Sequence, residues 1–188
     1  MAAARRDWRE KQVELDPSKL VFIDESGLST NMARRYGRSL MGERCSAPVP
    51  HGHWQTTTFV AGLRLTGLDA AMLLDGPMDG DAFEAYLEQV LVPALKPGDT
   101  VVMDNLSVHK REQVKTVIEA AGAKLLYLPP YSPDLNPIEQ AFSKLKAFLR
   151  KAAKRSIEDL WAAVADALKT FTTEECANFF AAAGYGPK

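Results

Sequence analysis

The chain alternates between short unbroken apolar runs and longer stretches in which apolar residues recur every three or four positions. Leu20-Val21-Phe22-Ile23-Asp24 and Thr100-Val101-Val102-Met103-Asp104 are matching runs, each ending on an aspartate. Runs this short, without polar alternation, fit strands buried on both faces. Lys124 to Leu128 reads as a third strand of this kind. Between the first two, residues 55–65 are rich in strand formers, Thr66-Gly67 makes a turn, and Leu68 to Leu74 returns as the second arm of a hairpin. Phe83, Tyr86, Leu87, Val90 and Leu91 have helical spacing, which predicts a helix over 79–92, ended by Pro93 and Pro97-Gly98. Further helices are predicted at about 110–121, from Ile138 onward with Phe142, Leu145 and Leu149 on one stripe, over 157–171, and over 173–183. The first strand is expected to stop at Asp24. Residues 26–54 have no clear period and contain Gly27, Gly37, Gly42, Pro48, Pro50 and Gly52. They read as a long connection, with a short strand near 35–39, and connections this long are often functional.

The element order is strand, two-stranded hairpin, helix, strand, helix, strand, helix, helix. This order predicts an α/β fold of ribonuclease-H-like type, a mixed five-stranded sheet flanked by helices. Residues 1–18 read as a charged, partly helical lead-in or linker closed by Asp16-Pro17, and residues 19–188 as one domain. The first strand and the strand at 100–104 become central neighbours, which sets Asp24 beside Asp104. Two adjacent carboxylates repel unless a positive charge sits between them. Mg²⁺ suits such a place, since it takes a few carboxylate oxygens together with water and phosphate. Two such ions about 4 Å apart can clamp the attacking and leaving oxygens of an in-line phosphoryl displacement. Glu139, in the first turn of the helix after the proline-rich loop, is the candidate third carboxylate. Local sequence also allows a capping box there, with Asn136 as N-cap, Pro137 at the first helical position and Glu139 reaching back.

Composition narrows the class. The chain has 188 residues, a hydrophobic share of 46%, a charged share of 25% and a net charge of −1. That suits a single core of ordinary size. Cys45 and Cys176 lie far apart and form no CxxC pair, so a reducing compartment is the simpler expectation. No apolar run reaches membrane-spanning length, and Met1 to Glu14 lacks a signal peptide's apolar stretch. The expected location is cytoplasmic. The near-neutral total hides local basic patches: Arg34, Arg35, Arg38 and Arg44; Arg5, Arg6, Arg9 and Lys11; and six cations without an acid from Lys144 to Arg155. Such patches govern phosphate contact more than net charge does. Lys146 and Arg150 share a helical stripe with Glu139 and Ser143. His51-Gly52-His53 has no partner pair at zinc-ligand spacing.

Three segments carry a family resemblance: Phe22-Ile23-Asp24-Glu25-Ser26-Gly27; Val101-Val102-Met103-Asp104-Asn105 with His109-Lys110; and Leu128-Pro129-Pro130-Tyr131-Ser132-Pro133-Asp134-Leu135-Asn136-Pro137-Ile138-Glu139. Together they resemble the insertion-sequence 630 family of transposases, within the Tc1/mariner superfamily. Thirty-four residues separate Asp104 from Glu139, the spacing of that superfamily's DDE pattern. The likeness runs from about residue 5 to 185.

The resemblance implies Asp24, Asp104 and Glu139 as the catalytic triad, holding two Mg²⁺ ions or Mn²⁺ in their place. It implies metal-dependent cleavage at transposon ends, then attack by the freed 3′-hydroxyl on target DNA, usually at TA. It also implies a homodimer in the active complex and nucleoid association when DNA is bound. Expected DNA contacts are Arg34, Arg35, Arg38, His109, Lys110, Tyr131, Lys146 and Arg150. Complete members carry helix-turn-helix domains ahead of the core. The first predicted strand begins near residue 20, so the chain is expected to be a fragment, a truncated relic, or the second of two reading frames whose upstream-encoded partner supplies them. Two alternatives stay open: a non-catalytic DNA-binding or regulatory remnant, and a ribonuclease-H-like nuclease that only hydrolyses.

Overall fold

The computed structural model describes residues 2–106 and 108–186, leaving the Val108 side chain aside. A five-stranded sheet runs β3-β2-β1-β4-β5. Its strands are β1 (Leu20–Ser29), β2 (Thr56–Arg64), β3 (Gly67–Asp75), β4 (Thr100–Met103) and β5 (Lys124–Tyr127). The hairpin β2–β3 pairs antiparallel with β1, while β4 and β5 follow in parallel. This is the mixed sheet that the element order predicts.

The β1 strand is longer than expected. It continues past Asp24 to Ser29 because Glu25 through Ser29 pair with Val60 through Thr56 of β2. That pairing supplies the backbone partners that a less apolar sequence still needs. No strand forms at 35–39, and residues 33–54 run without helix or strand. Their side chains are mostly exposed and offer no apolar face to bury.

Alternation along the central strands divides the core in two. Leu20, Phe22, Phe59, Ala61 and Val102 face one side, and Val21, Ile23, Val60, Val101 and Met103 face the other. The first face packs against α1 (Ala2–Gln12), α5 (Ile138–Ala152), α6 (Ile157–Leu168) and α7 (Thr173–Ala182). The second packs against α2 (Gly80–Tyr86), which runs through a π-helical turn at Leu87–Leu91 into α3 (Val92–Ala94), and against α4 (Glu112–Ala120). Apolar burial on both faces explains why the central strands read as continuous apolar runs.

The charged lead-in is helix α1, and it packs on the body. Trp8 is buried and donates from Nε1 to Tyr185 Oη at 3.0 Å. Gln12 Nε2 donates to the Ala183 carbonyl, and Arg5 grips both carboxylate oxygens of Asp134. No helix among the described residues is long and apolar enough to cross a membrane.

Candidate active site

The period of β1 sends consecutive acids to opposite faces of the sheet. Asp24 turns to the α5 side. There it is 9% exposed, with Oδ1 accepting from the Glu25 backbone N–H at 2.8 Å and Oδ2 accepting from Asn136 Nδ2 at 2.9 Å. Glu25 turns to the α2–α4 side and meets His109. Parallel pairing of β1 with β4 matches Ile23 to Met103. The next positions along these neighbouring strands are Asp24, within β1, and Asp104, just past the end of β4.

Asp104 follows β4, where the chain leaves the ladder. Local bonds steady its carboxylate: the Leu106 N–H at 3.0 Å and His109 Nδ1 at 2.7 Å both reach Oδ1. His109 comes from a 3₁₀ turn (Val108–Lys110), is fully buried, and stacks on Phe83 with ring centroids 4.5 Å apart. Its Nε2 lies 2.9 Å from Glu25 Oε1. Burial alone would lower the imidazole pKa. The two carboxylate partners, Asp104 and Glu25, outweigh burial and raise it to about 9. The charged ring donates from both nitrogens. Burial pushes the Asp104 carboxyl up, but the His109 and Leu106 hydrogen bonds prevail and hold it below its ordinary value. His109 was expected among the DNA contacts. Its burial corrects that expectation, because a fully enclosed ring bridging two carboxylates does not reach a duplex.

Glu139 lies in the first turn of α5. It shares one cavity of about 380 Å³ with Asp24, Asp104, Asn136, Leu106 and the proline loop from Pro129 to Pro133. The capping box does not form. The helix opens at Pro137 without a side-chain cap, and Asn136 spends its amide nitrogen on Asp24. The Asp24 carboxyl is pushed up to about 7, first by burial and then by the charges of Glu25, Glu139 and Asp104, against the Glu25 N–H that pulls it down.

The three carboxylates therefore crowd one cavity. Among the described residues, however, no three Asp, Glu, His or Cys side chains stand close enough together to hold one ion as placed. The donor chemistry suits a hard divalent cation, being carboxylate oxygens with spare lone pairs. A second observation agrees: Asn136 Oδ1, buried in the cavity wall, has no hydrogen-bond partner among the described residues.

A model of the DDE superfamily endonucleases matches residues 19–161. The chain belongs to that family. Solved structures agree on the fold of this DDE endonuclease. The Mos1 strand transfer complex aligns at TM-score 0.72 with 16% identity, covering 96% of this chain and 55% of that one. The catalytic domain of Mos1 mariner transposase aligns at 0.66 with 13% identity, covering 96% and 83%. Mos1 transposase catalytic domain with Raltegravir and Mg aligns at 0.64 with 14% identity, covering 99% and 94%. The chain thus spans little more than half the length of the Mos1 chain in the strand transfer complex. No curated protein matches the sequence.

The cations expected to meet DNA separate into groups. Arg34, Arg35, Lys146 and Arg150 surround one cleft of about 850 Å³ between the long connection and α5. Arg38 and Lys110 are exposed but line neither that cleft nor the carboxylate cavity. Two members of the basic run serve the fold. Lys144 binds both carboxylate oxygens of Glu175 and lies 4.4 Å over the Phe171 ring, and Arg155 holds the carbonyls of Thr30 and Met32. Tyr131 stands at the cavity rim, 88% exposed and with φ 54°. Sequence reasoning missed Glu25 as the partner of His109. Its one signal was position, a second acid directly after Asp24 on a strand with two buried faces.

Proposed function

We propose that this chain is the catalytic domain of an insertion-sequence 630 type transposase, cleaving DNA at transposon ends and joining the freed 3′-hydroxyl to target DNA. Asp24 carries the reading: a buried carboxylate with two more acids on its cavity and no cationic side chain among its partners. That arrangement is costly unless a divalent ion compensates it. Asp24, Asp104 and Glu139 are the residues to hold Mg²⁺ or Mn²⁺. Bound there, such ions would supply Lewis-acid stabilisation of the charge that develops in a phosphoryl displacement.

The chain's own groups do the rest. His109, braced by Glu25, fixes the rotamer of Asp104, so that Oδ2 of that carboxylate stays free of protein donors among the described residues. Arg34, Arg35, Lys146 and Arg150 take the phosphates leading away from the cavity along α5, and Arg38, Lys110 and Tyr131 contribute at the margins. Binding through such contacts weakens steeply with salt. Residues 1–18 form the lead-in to a catalytic unit of 19–188. The connection at 30–55 serves a homodimer contact or DNA, and TA is the target. The protein works in the cytoplasm, on the nucleoid.

A second reading draws on the separation of the three acids, which do not converge as placed: a DNA-binding remnant without catalysis. Nicking of supercoiled plasmid in Mn²⁺ separates the two. The catalytic reading expects nicking by the chain that disappears with chelator and in Asp104→Asn. Equal behaviour of chain and variant favours the remnant.

A further inference from the structure

Asn136 has an arrangement that capping does not explain. Its side chain is 4% exposed, in the wall of the carboxylate cavity. One end of the amide is engaged: Nδ2 donates to Asp24 Oδ2 at 2.9 Å. The other end, Oδ1, is buried and accepts from no donor among the described residues. A buried acceptor left in this state is destabilising, so it calls for an explanation. Turning the amide over gives no relief. While Asp24 is ionised it only accepts, and the exchange would press two oxygens together.

The backbone holds this orientation. Asn136 ends a 3₁₀ turn (Pro133–Leu135), its N–H donates to the Pro133 carbonyl at 3.0 Å, and its carbonyl accepts from the Glu139 N–H at 3.3 Å. The following Pro137 restricts it further to extended backbone. The amide is thus a rigid two-ended group, locked to one carboxylate and one helical turn from another.

We propose that Asn136 is a positioning residue of the reaction, its Oδ1 receiving an O–H donor that enters the cavity beside Asp24. That donor is either a water of the divalent cation's hydration shell or the hydroxyl that attacks the phosphate. A group that fixes a ligand on one side and an incoming hydroxyl on the other sets the angle between them, which is what near-attack geometry requires. The inference rests on Asp24 being a metal ligand.

The test uses the chain with Asn136→Leu, which keeps the shape of the side chain and removes both polar ends. Three quantities are read: the melting temperature in chelator, the Kd for Mn²⁺ by calorimetry, and the nicking rate at saturating Mn²⁺. The ion-free melting temperature is expected to fall only modestly, because the removed orphan acceptor is offset by Asp24 Oδ2, which loses its donor. If the donor belongs to the hydration shell, Kd weakens by about 10–100-fold. If it is the nucleophile, Kd holds and the nicking rate at saturation falls by about the same factor. A lower ion-free melting temperature with Kd and rate both within twofold of the parent would mark a purely structural asparagine and overturn the proposal. Kd and rate unchanged at an unchanged melting temperature would overturn it equally, leaving an ordinary interior water as the missing partner. Should Asn136→Leu fail to fold, Asn136→Ala gives the same readings without apolar bulk. If the parent chain itself binds no Mn²⁺, the metal-site reading falls and takes this proposal with it, an outcome distinct from normal binding by parent and variant alike.

Discussion

Asp24 and Asp99 are both buried carboxylates, at opposite ends of the central strands, and their surroundings are opposite in kind. Asp99, 1% exposed just before β4, has its own cation: Arg64 Nη2 lies 2.7 Å from its Oδ2, and the Lys96 N–H donates to the same oxygen at 2.8 Å. Burial raises the Asp99 carboxyl, but Arg64 and the Lys96 N–H more than reverse this, and the group sits below its ordinary value. Asp24 has burial without a cation and is pushed up to about 7. A structural acid arrives with its counter-charge, whereas the acid in the cavity has none among the described residues.

Substitution should therefore have opposite effects at the two ends. Asp24→Asn removes an uncompensated charge. It is expected to abolish Mn²⁺-dependent nicking by about a thousandfold or more, while raising the ion-free melting temperature at pH 8. A lower melting temperature would show that Asp24 is compensated by something within the fold. Asp99→Asn leaves Arg64 with only the half-exposed Asp69 as counter-charge and is expected to cost about 2–3 kcal/mol in urea unfolding. Nicking per folded molecule should stay within about twofold, since Asp99 lies outside the cavity.

His109 sharpens the contrast through pH. Its folded pKa, about 9, lies above the ordinary imidazole value. The stability it contributes is therefore complete below pH about 6.5 and is lost as pH rises through about 9. Ion-free urea unfolding at pH 6, 8 and 10 should show this decline in the parent chain and a flatter profile in His109→Gln. Parallel profiles would remove the charged bridge from the account. The smallest effect is expected at Tyr131. Glycine tolerates the left-handed backbone there, so Tyr131→Gly should stabilise the fold by about 1 kcal/mol while weakening DNA retention in a filter assay. Unchanged retention would make the exposed ring a bystander.

Much of this was legible in the sequence because the apolar runs ending at Asp24 and Asp104 are long enough to name strands, and their parallel neighbours follow from element order. The helix from Ile138 was equally plain from its stripe. The extension of β1 to Ser29 was hidden, since Glu25-Ser26-Gly27 lacks strand-forming character and is held by β2 across the sheet. Asn136 misled for a related reason. Asn-Pro before a helix is a capping signal locally, and only the return of β1 beside it offers Asp24 as a better partner for its amide. His109 read as a DNA contact because its two carboxylate partners are 5 and 84 positions away, and only the near one falls within local pattern.

The grip of α1 on the body has a mechanical side. Arg5 reaches Ser132 and Asp134, and Tyr185, tied to Trp8, donates to the Leu135 carbonyl. These three anchor points lie immediately before Asn136. A pull on the start of α1 would thus be felt in the proline loop that precedes Glu139, through Arg5, as well as in the sheet face on which Trp8 packs.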